Sequence, residues 1–347
     1  MKHVLLVAIA AAPACHKADA DYKADIMAAL YASVGDELDA LMQAAHALQA
    51  AAPTHAWSSG DAAAIGAMRD AWRRTRIAYE HIEGATSPLF PDLEHVMDAR
   101  YDDYLVLTGA AGDPALFDAS GVVGMHGIER ILYAPDIRPE VVAFERTLPG
   151  YAPAGYPTTD ADAQAFKAVL VQKLIDDAGS LRAQWRPAAI DAGVAYQGLV
   201  GLMSDQLAKI DRAASGEEES RYANVTLFDL RNNLEGTWNT YELFRDWSSY
   251  RSPDTDFDML VEARFTALAA LYASLPGDAL PPAPAGWSPV HPTPADLATP
   301  YGMLWRSVFE NIDPDRESSL VFEMNRVAVV LGFPAFVEGT LDLRRAR

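Results

Sequence analysis

The sequence predicts an all-α protein arranged as two four-helix-bundle-like halves, and three observations carry that expectation. Apolar residues recur every three or four positions through most of the chain, most clearly at Ile26, Leu30, Val34, Leu38, Leu41, Ala45 and Leu48. Prolines cluster between such series, where they act as joints between helices. No run alternates apolar and polar residues between Asn-Gly turns, as a paired strand would.

Taken in order, the first series ends near Pro53. Asp61 is placed to cap a second helix carrying Ile65, Met68, Trp72, Tyr79 and Ile82. A break at Ser87-Pro88-Leu89-Phe90-Pro91 precedes a third helical stretch around Leu93 to Leu107, and a fourth covers about Val122 to Tyr133. Pro135, Pro139, Pro149, Pro153 and Pro157 then mark a connection, so residues 25–150 form an N-terminal bundle and residues 158–347 a C-terminal one. The second half shows the same periodicity over Phe166 to Trp185, Val194 to Ile210, Leu227 to Trp247, Phe257 to Leu275, Tyr301 to Ile312 and Ser318 to Leu331. Residues 276–300 are crowded with proline and show little periodicity, which reads as a surface excursion. A faint echo between Ile82-Glu83-Gly84 and Leu234-Glu235-Gly236 hints at duplicated bundles.

Half of the 347 residues are hydrophobic, enough for a real core, and 48 Asp and Glu outnumber 28 Lys and Arg for a net charge of −20. So acidic a chain repels phosphate backbones, which argues against nucleic acid and against anionic lipid as partners. The N-terminus reads as an export signal over residues 1–14. A positive Met1-Lys2-His3 start leads into apolar Val4 to Ala12, and small residues precede Cys15. Cys15 stands where a bacterial lipoprotein carries its lipidated cysteine, with residues 15–24 as a linker to the first helix. It is the single cysteine, so no disulfide framework is available and packing must supply stability. Any contact with a membrane would run through that anchor, since no later segment approaches ~18 apolar residues. An exported, periplasmic or envelope-anchored protein is the expectation.

The sharpest chemical signal is Gly124-Met125-His126-Gly127-Ile128-Glu129. Helix positions three apart lie about 60° apart around the axis and ~4.5 Å along it, so His126 and Glu129 can face one cation. Bundle metalloproteins pair Glu and His at this spacing with carboxylates from facing helices. Glu80-His81-Ile82-Glu83 repeats the spacing with two carboxylates, His81 projecting elsewhere, and Asp98 in Met97-Asp98-Ala99-Arg100 could add an oxygen. Each fragment alone is commoner as a solvated acidic face or a surface pair than as a ligand set.

Their joint order resembles the imelysin-like family. Trp72-Arg73-Arg74-Thr75-Arg76 leads through Glu80 and Glu83 to Asp98-Ala99-Arg100, and the G-x-H-x-x-E stretch follows. Gly216-Glu217-Glu218-Glu219, Tyr222, Leu227-Phe228-Asp229-Leu230 and Asn233-Leu234-Glu235-Gly236 are similar to the EfeO/EfeM-type branch of exported iron-uptake proteins. The resemblance spans roughly residues 25 to 250 and implies two four-helix bundles with a metal site in the first. It implies Glu80, Glu83, Asp98, His126 and Glu129 as the ligands. Longer members of the branch carry a copper-binding cupredoxin domain ahead of the helices, and here the first helix follows the signal almost at once. Relatives often show a histidine and an aspartate where this chain has Asn224 and Thr226, so no second metal site is expected there.

The leading functional expectation is a binding protein that holds iron, with zinc as an alternative, and passes it to a membrane iron permease. Carboxylates with one imidazole suit iron, manganese or zinc rather than copper(I). The alternative is a metallopeptidase of the imelysin type, since the family name comes from a proteolytic activity. A zincin needs H-E-x-x-H, which this sequence lacks. A structural lipoprotein whose ligands have lapsed is a third reading. The sequence carries no P-loop, no dinucleotide fingerprint and no local sign of Ser-His-Asp or Cys-His catalysis.

Overall fold

The computed structural model describes residues 17–113, 115–253 and 256–337. The export signal and Cys15 lie outside them. Helix α1 (Asp19–Ala51) begins upstream of Ile26, so most of the expected linker is already helical. It turns back through Trp57 into α2 (Ala62–Thr86), and the two helices pack along much of their length. Leu30, Leu38, Leu41 and Leu48 of α1 are fully buried, each contributing about 1.5–3 kcal/mol by leaving water. Asp61 does not cap α2 with its side chain: its carboxylate accepts instead from the Ser58 backbone N–H at 2.8 Å, closing a short 3-10 turn.

The third predicted stretch is two helices, α3 (Pro91–Asp98) and α4 (Tyr101–Thr108). Ala99 and Arg100 between them are extended, and Asp103 accepts from the Arg100 backbone N–H at 3.2 Å to start α4. Helix α5 (Gly124–Leu132) follows, then α6 (Pro139–Glu145) inside the proline-rich connection. Helix α7 (Asp160–Ala165) runs through a π-helical turn at Phe166–Leu170 into α8 (Val171–Gln184), a local widening that the apolar periodicity does not announce.

Helices α9 (Ala192–Arg212), α10 (Thr226–Arg251) and α11 (Phe257–Ser274) are followed by the proline-rich excursion. Apart from the one-turn α12 (Pro294–Leu297), residues 276–299 are irregular. They are tied down by Trp287, which packs edge-on against Tyr301 and Trp305 and donates to Asp211. The last helices are α13 (Pro300–Ile312) and α14 (Leu320–Leu331). Among the described residues there is no strand, and no helix is long and apolar enough to cross a membrane.

Helix α2 is the common element of the packing, with α1 against it and α9 and α10 also in contact. One hydrophobic core therefore joins residues of both halves, from α1 to α14, while Tyr101 and Leu105 of α4 form a small separate cluster with Val122. The crossing of α2 and α10 is a backbone contact. A Cβ on Gly236 would fall 2.2 Å from His81 Cα and 2.4 Å from its carbonyl oxygen. In an open helix Gly→Ala stabilises by about 1 kcal/mol. Here overpacking, typically about 1–3 kcal/mol and more against backbone, should win, so Gly236→Ala is expected to lower the denaturation midpoint. A raised midpoint in a denaturant titration would contradict this packing.

Candidate metal centre

Three local features bring charged side chains into the core. On α2, Arg76, Glu80 and Glu83 follow Trp72 at intervals of four, four and three, so a polar stripe continues an apolar one; all three are buried. At the end of α3, the extended pair Ala99-Arg100 stops the helix with Asp98 turned inward and 5% exposed. At the start of α5, Gly124 has φ +73°, and a Cβ there would sit 2.3 Å from the Met97 carbonyl oxygen. Only glycine tolerates both the dihedral and the approach, and that approach sets His126 beside Asp98. The Trp72 indole N–H donates to the Met125 carbonyl at 3.0 Å and ties α2 to the same turn.

His126 and Glu129 are both fully buried. His126 Nδ1 lies 2.6 Å from Glu129 Oε2, and the other oxygen of Glu129 accepts from the Ala223 backbone N–H at 2.8 Å. A carboxylate on Nδ1 fixes the ring and directs Nε2 forward, the arrangement found behind metal-bound histidines. Nε2 faces Asp98 Oδ1 at 3.3 Å and Glu219 Oε1 at 3.8 Å, yet makes no well-directed hydrogen bond, and Glu219 Oε2 makes none either. Ligand atoms of Asp98, His126 and Glu219 all lie within 4.8 Å of one another. His126 Nε2 and Glu219 Oε2 are held by ion pairing alone, and buried polar atoms without a directed hydrogen bond are rare in native proteins and call for an explanation. A cation at this point would satisfy both.

Around the trio the charges are interlocked. Arg76 pairs with Glu80 and Asp98 and reaches Asp229 Oδ1 at 3.4 Å. Lys209 Nζ from α9 lies 3.2 Å from Glu83 Oε2, 3.0 Å from Asn233 Oδ1 and 3.6 Å from Glu219 Oε2. Asn233 donates to both Glu80 and Glu83. Burial alone would lower the His126 pKa, but Asp98, Glu129 and Glu219 overcome it and push it up to about 10. Burial likewise opposes ionisation of Asp98 and Glu219. Arg76 and His126 nonetheless hold Asp98 below the usual carboxylate range, while Lys209, His126 and Arg100 hold Glu219 well below it. Asp229 is raised to about 6 because its desolvation exceeds what Arg76 returns. The carboxylates Glu80, Glu83, Asp98, Glu129, Glu219 and Asp229 outnumber the cations Arg76, Arg100, Lys209 and the charged His126, so the cluster keeps an excess of negative charge for a cation to neutralise.

Of the residues expected from sequence, Asp98 and His126 meet directly, and Glu129 stands behind His126. The oxygens of Glu80 are taken by Arg76 and Asn233. Glu83 joins Glu94 and Asp98 in a second group whose ligand atoms lie within 4.8 Å of one another, sharing Asp98 with the first. His81, as expected, points away and sits 2.8 Å from Glu37. Glu94 and Glu219 lie outside the set expected from sequence. A cleft of about 170 Å³ lined by Glu94, Asp98, Arg100, Asp102, Asp103 and Glu219 borders the trio, giving a hydrated cation an acidic approach.

Comparison with known proteins agrees with this architecture. The family model described as Imelysin (Peptidase M75) matches residues 29–286. No curated protein sequence matches this one. Among solved structures, an imelysin-like protein from Psychrobacter arcticum 273-4 superposes with a TM-score of 0.55 at 14% identity, covering 93% of this chain and 99% of its own. A Parabacteroides distasonis protein described as an iron-regulated protein A precursor gives 0.51 at 13% identity, covering 92% of this chain and 95% of its own. At such identities the likeness is one of fold.

Proposed function

Since the chain belongs to the imelysin family, we propose that it is an exported metal-binding protein that holds iron at Asp98, His126 and Glu219. The observation that carries this is the buried His126 Nε2 facing two carboxylates without a well-directed hydrogen bond, with Glu129 fixing the ring from behind. One imidazole with carboxylates favours a divalent first-row ion such as iron, manganese or zinc over copper(I). Iron is preferred because the motif order resembles exported iron-uptake proteins and a protein of the same fold is described as iron-regulated. Glu129 orients the imidazole, Glu80 and Glu83 set the surrounding charge, and delivery to a membrane permease from a Cys15-anchored chain completes the reading. No observation favours the metallopeptidase alternative: its usual pair of zinc-binding histidines has no counterpart in a trio with one imidazole.

Elemental analysis of protein loaded with ferrous iron and desalted tests the proposal. Wild type should retain iron in stoichiometric amount, and a His126→Gln/Glu219→Gln variant should not. Equal retention by both would overturn it.

The charge state adds a pH signature. In the metal-free protein His126 is held charged to about pH 10, against about 6.5 when unfolded. Its stabilisation is complete below about 6.5 and is lost as pH rises through 10. Asp98 and Glu219, held low, contribute in the opposite sense, with stability lost as pH falls below the usual carboxylate range. Metal must displace the imidazole proton, so binding at pH 7 should release about one proton and strengthen with pH. Calorimetric titration in buffers of different ionisation enthalpy reads this directly. Heats independent of buffer would contradict it.

A further inference from the structure

The segment between α9 and α10 brings Glu219 to the centre, and residues on both sides of it are fastened to the opposite wall. The Glu217 carbonyl accepts from Arg100 at 3.2 Å, and the Glu218 carboxylate pairs with Arg138. Arg221 pairs with Asp102 at the start of α4 and lies over the Phe144 ring, 5.2 Å from its centre. The Tyr222 hydroxyl donates to Glu145 Oε1 at 2.6 Å, and Arg130 grips Glu145 Oε2 at 3.0 Å. The Ala223 N–H donates to Glu129, and Asn224 then takes a left-handed conformation (φ 57°) that turns the chain into α10. Glu219 instead points inward, its Oε2 facing Lys209 at 3.6 Å without a directed hydrogen bond.

We propose that Arg221 and Tyr222 are positioning residues of the metal centre, holding this strap at the height that sets Glu219 beside His126. The proposal rests on the reading of Asp98, His126 and Glu219 as a cation site. Both residues are buried, at 0% and 1% exposure; Arg221 bonds to α4, the helix after that of Asp98, and Tyr222 bonds to Glu145 of α6, which Arg130 on the His126 helix also holds. Metal–ligand distances tolerate only about 0.2 Å. A strap loosened at either anchor would therefore leave Glu219 unable to bond the ion while the helices stay folded.

A double-mutant cycle separates positioning from general stabilisation. Co²⁺ is titrated into Tyr222→Phe and Arg221→Lys, each in the wild-type and in the Glu219→Ala background, and followed by its visible absorption. In the wild-type background each substitution should weaken Co²⁺ binding by about 10–100-fold, the usual effect of losing a group behind a ligand, and should alter the band shape. With Glu219 already removed, the same substitutions should change affinity by less than about twofold. Equal losses in both backgrounds, or no loss in the first, would overturn the proposal. Should Tyr222→Phe fail to fold, the Arg221→Lys cycle gives the same test. Unchanged Co²⁺ binding by Glu219→Ala and His126→Gln would instead overturn the cation site itself, and the positioning role with it.

Discussion

His126→Gln is expected to abolish most of the stabilisation that metal gives the protein, in addition to the metal-free stability lost with the imidazolium charge. Glutamine fills much of the volume of the ring and can still donate to Glu129, but it removes the Nε2 that faces Asp98 and Glu219. At a metal concentration a thousandfold above the dissociation constant, binding stabilises a folded protein by about 4 kcal/mol. If losing the imidazole weakens binding about a hundredfold, the same concentration leaves only about 1.4 kcal/mol. Thermal unfolding with and without ferrous or zinc ion should show a large shift for wild type and a small one for the variant. The imidazole discriminates among metals, so any weaker response to calcium should be nearly the same in both proteins. Equal iron- or zinc-dependent shifts in wild type and variant would refute the role of His126.

Arg76→Ala is expected to be the most destabilising single change at the centre. The guanidinium is fully buried and neutralises Glu80, Asp98 and Asp229 together. Breaking a buried ion pair from one side costs about 3–5 kcal/mol, because the remaining charges stay buried without a counter-ion. For a chain of this size that is a fall of about 4–7 °C in Tm. Metal should recover part of the loss by supplying positive charge next to Asp98. Arg73→Ala is the control one turn earlier. Its pair with Asp278 is 29% and 40% exposed, and such a pair contributes at most about 1 kcal/mol. Melting curves that fall equally for the two variants would show that burial of Arg76 does not matter as argued.

The fold was legible because helices bury one stripe and prolines cannot sit within them; Ile26 to Leu48 and the joint at Ser87 to Pro91 needed nothing more. The break at Ala99-Arg100 was not legible, since no proline or glycine marks it. It depends on Asp103 capping backward and on Gly124 allowing α5 to abut Met97. His126, Glu129 and Asp98 were readable from helical spacing and motif order. Glu219 was missed although Gly216-Glu217-Glu218-Glu219 stands among the motifs that carry the resemblance, because three adjacent glutamates show no helical ligand spacing; Glu218 and Glu219 are each only 1% exposed. The signal that could have exposed them is Arg221-Tyr222 directly after the run, a cation and an aromatic that do not belong to a plain acidic loop. Arg76 and Lys209 gave a similar clue. Each occupies the apolar phase of its helix, after Trp72 and between Met203 and Ile210, where a charge is stable only if other charges come to meet it.

Whether Asp98, His126 and Glu219 hold iron is decided by anomalous diffraction at the iron edge, from crystals of the mature protein grown with ferrous iron. One strong peak is expected about 2 Å from His126 Nε2 and within bonding distance of carboxylate oxygens of Asp98 and Glu219, with Glu129 still on Nδ1. A peak bound elsewhere, with His126 Nε2 still bare, would contradict the assignment.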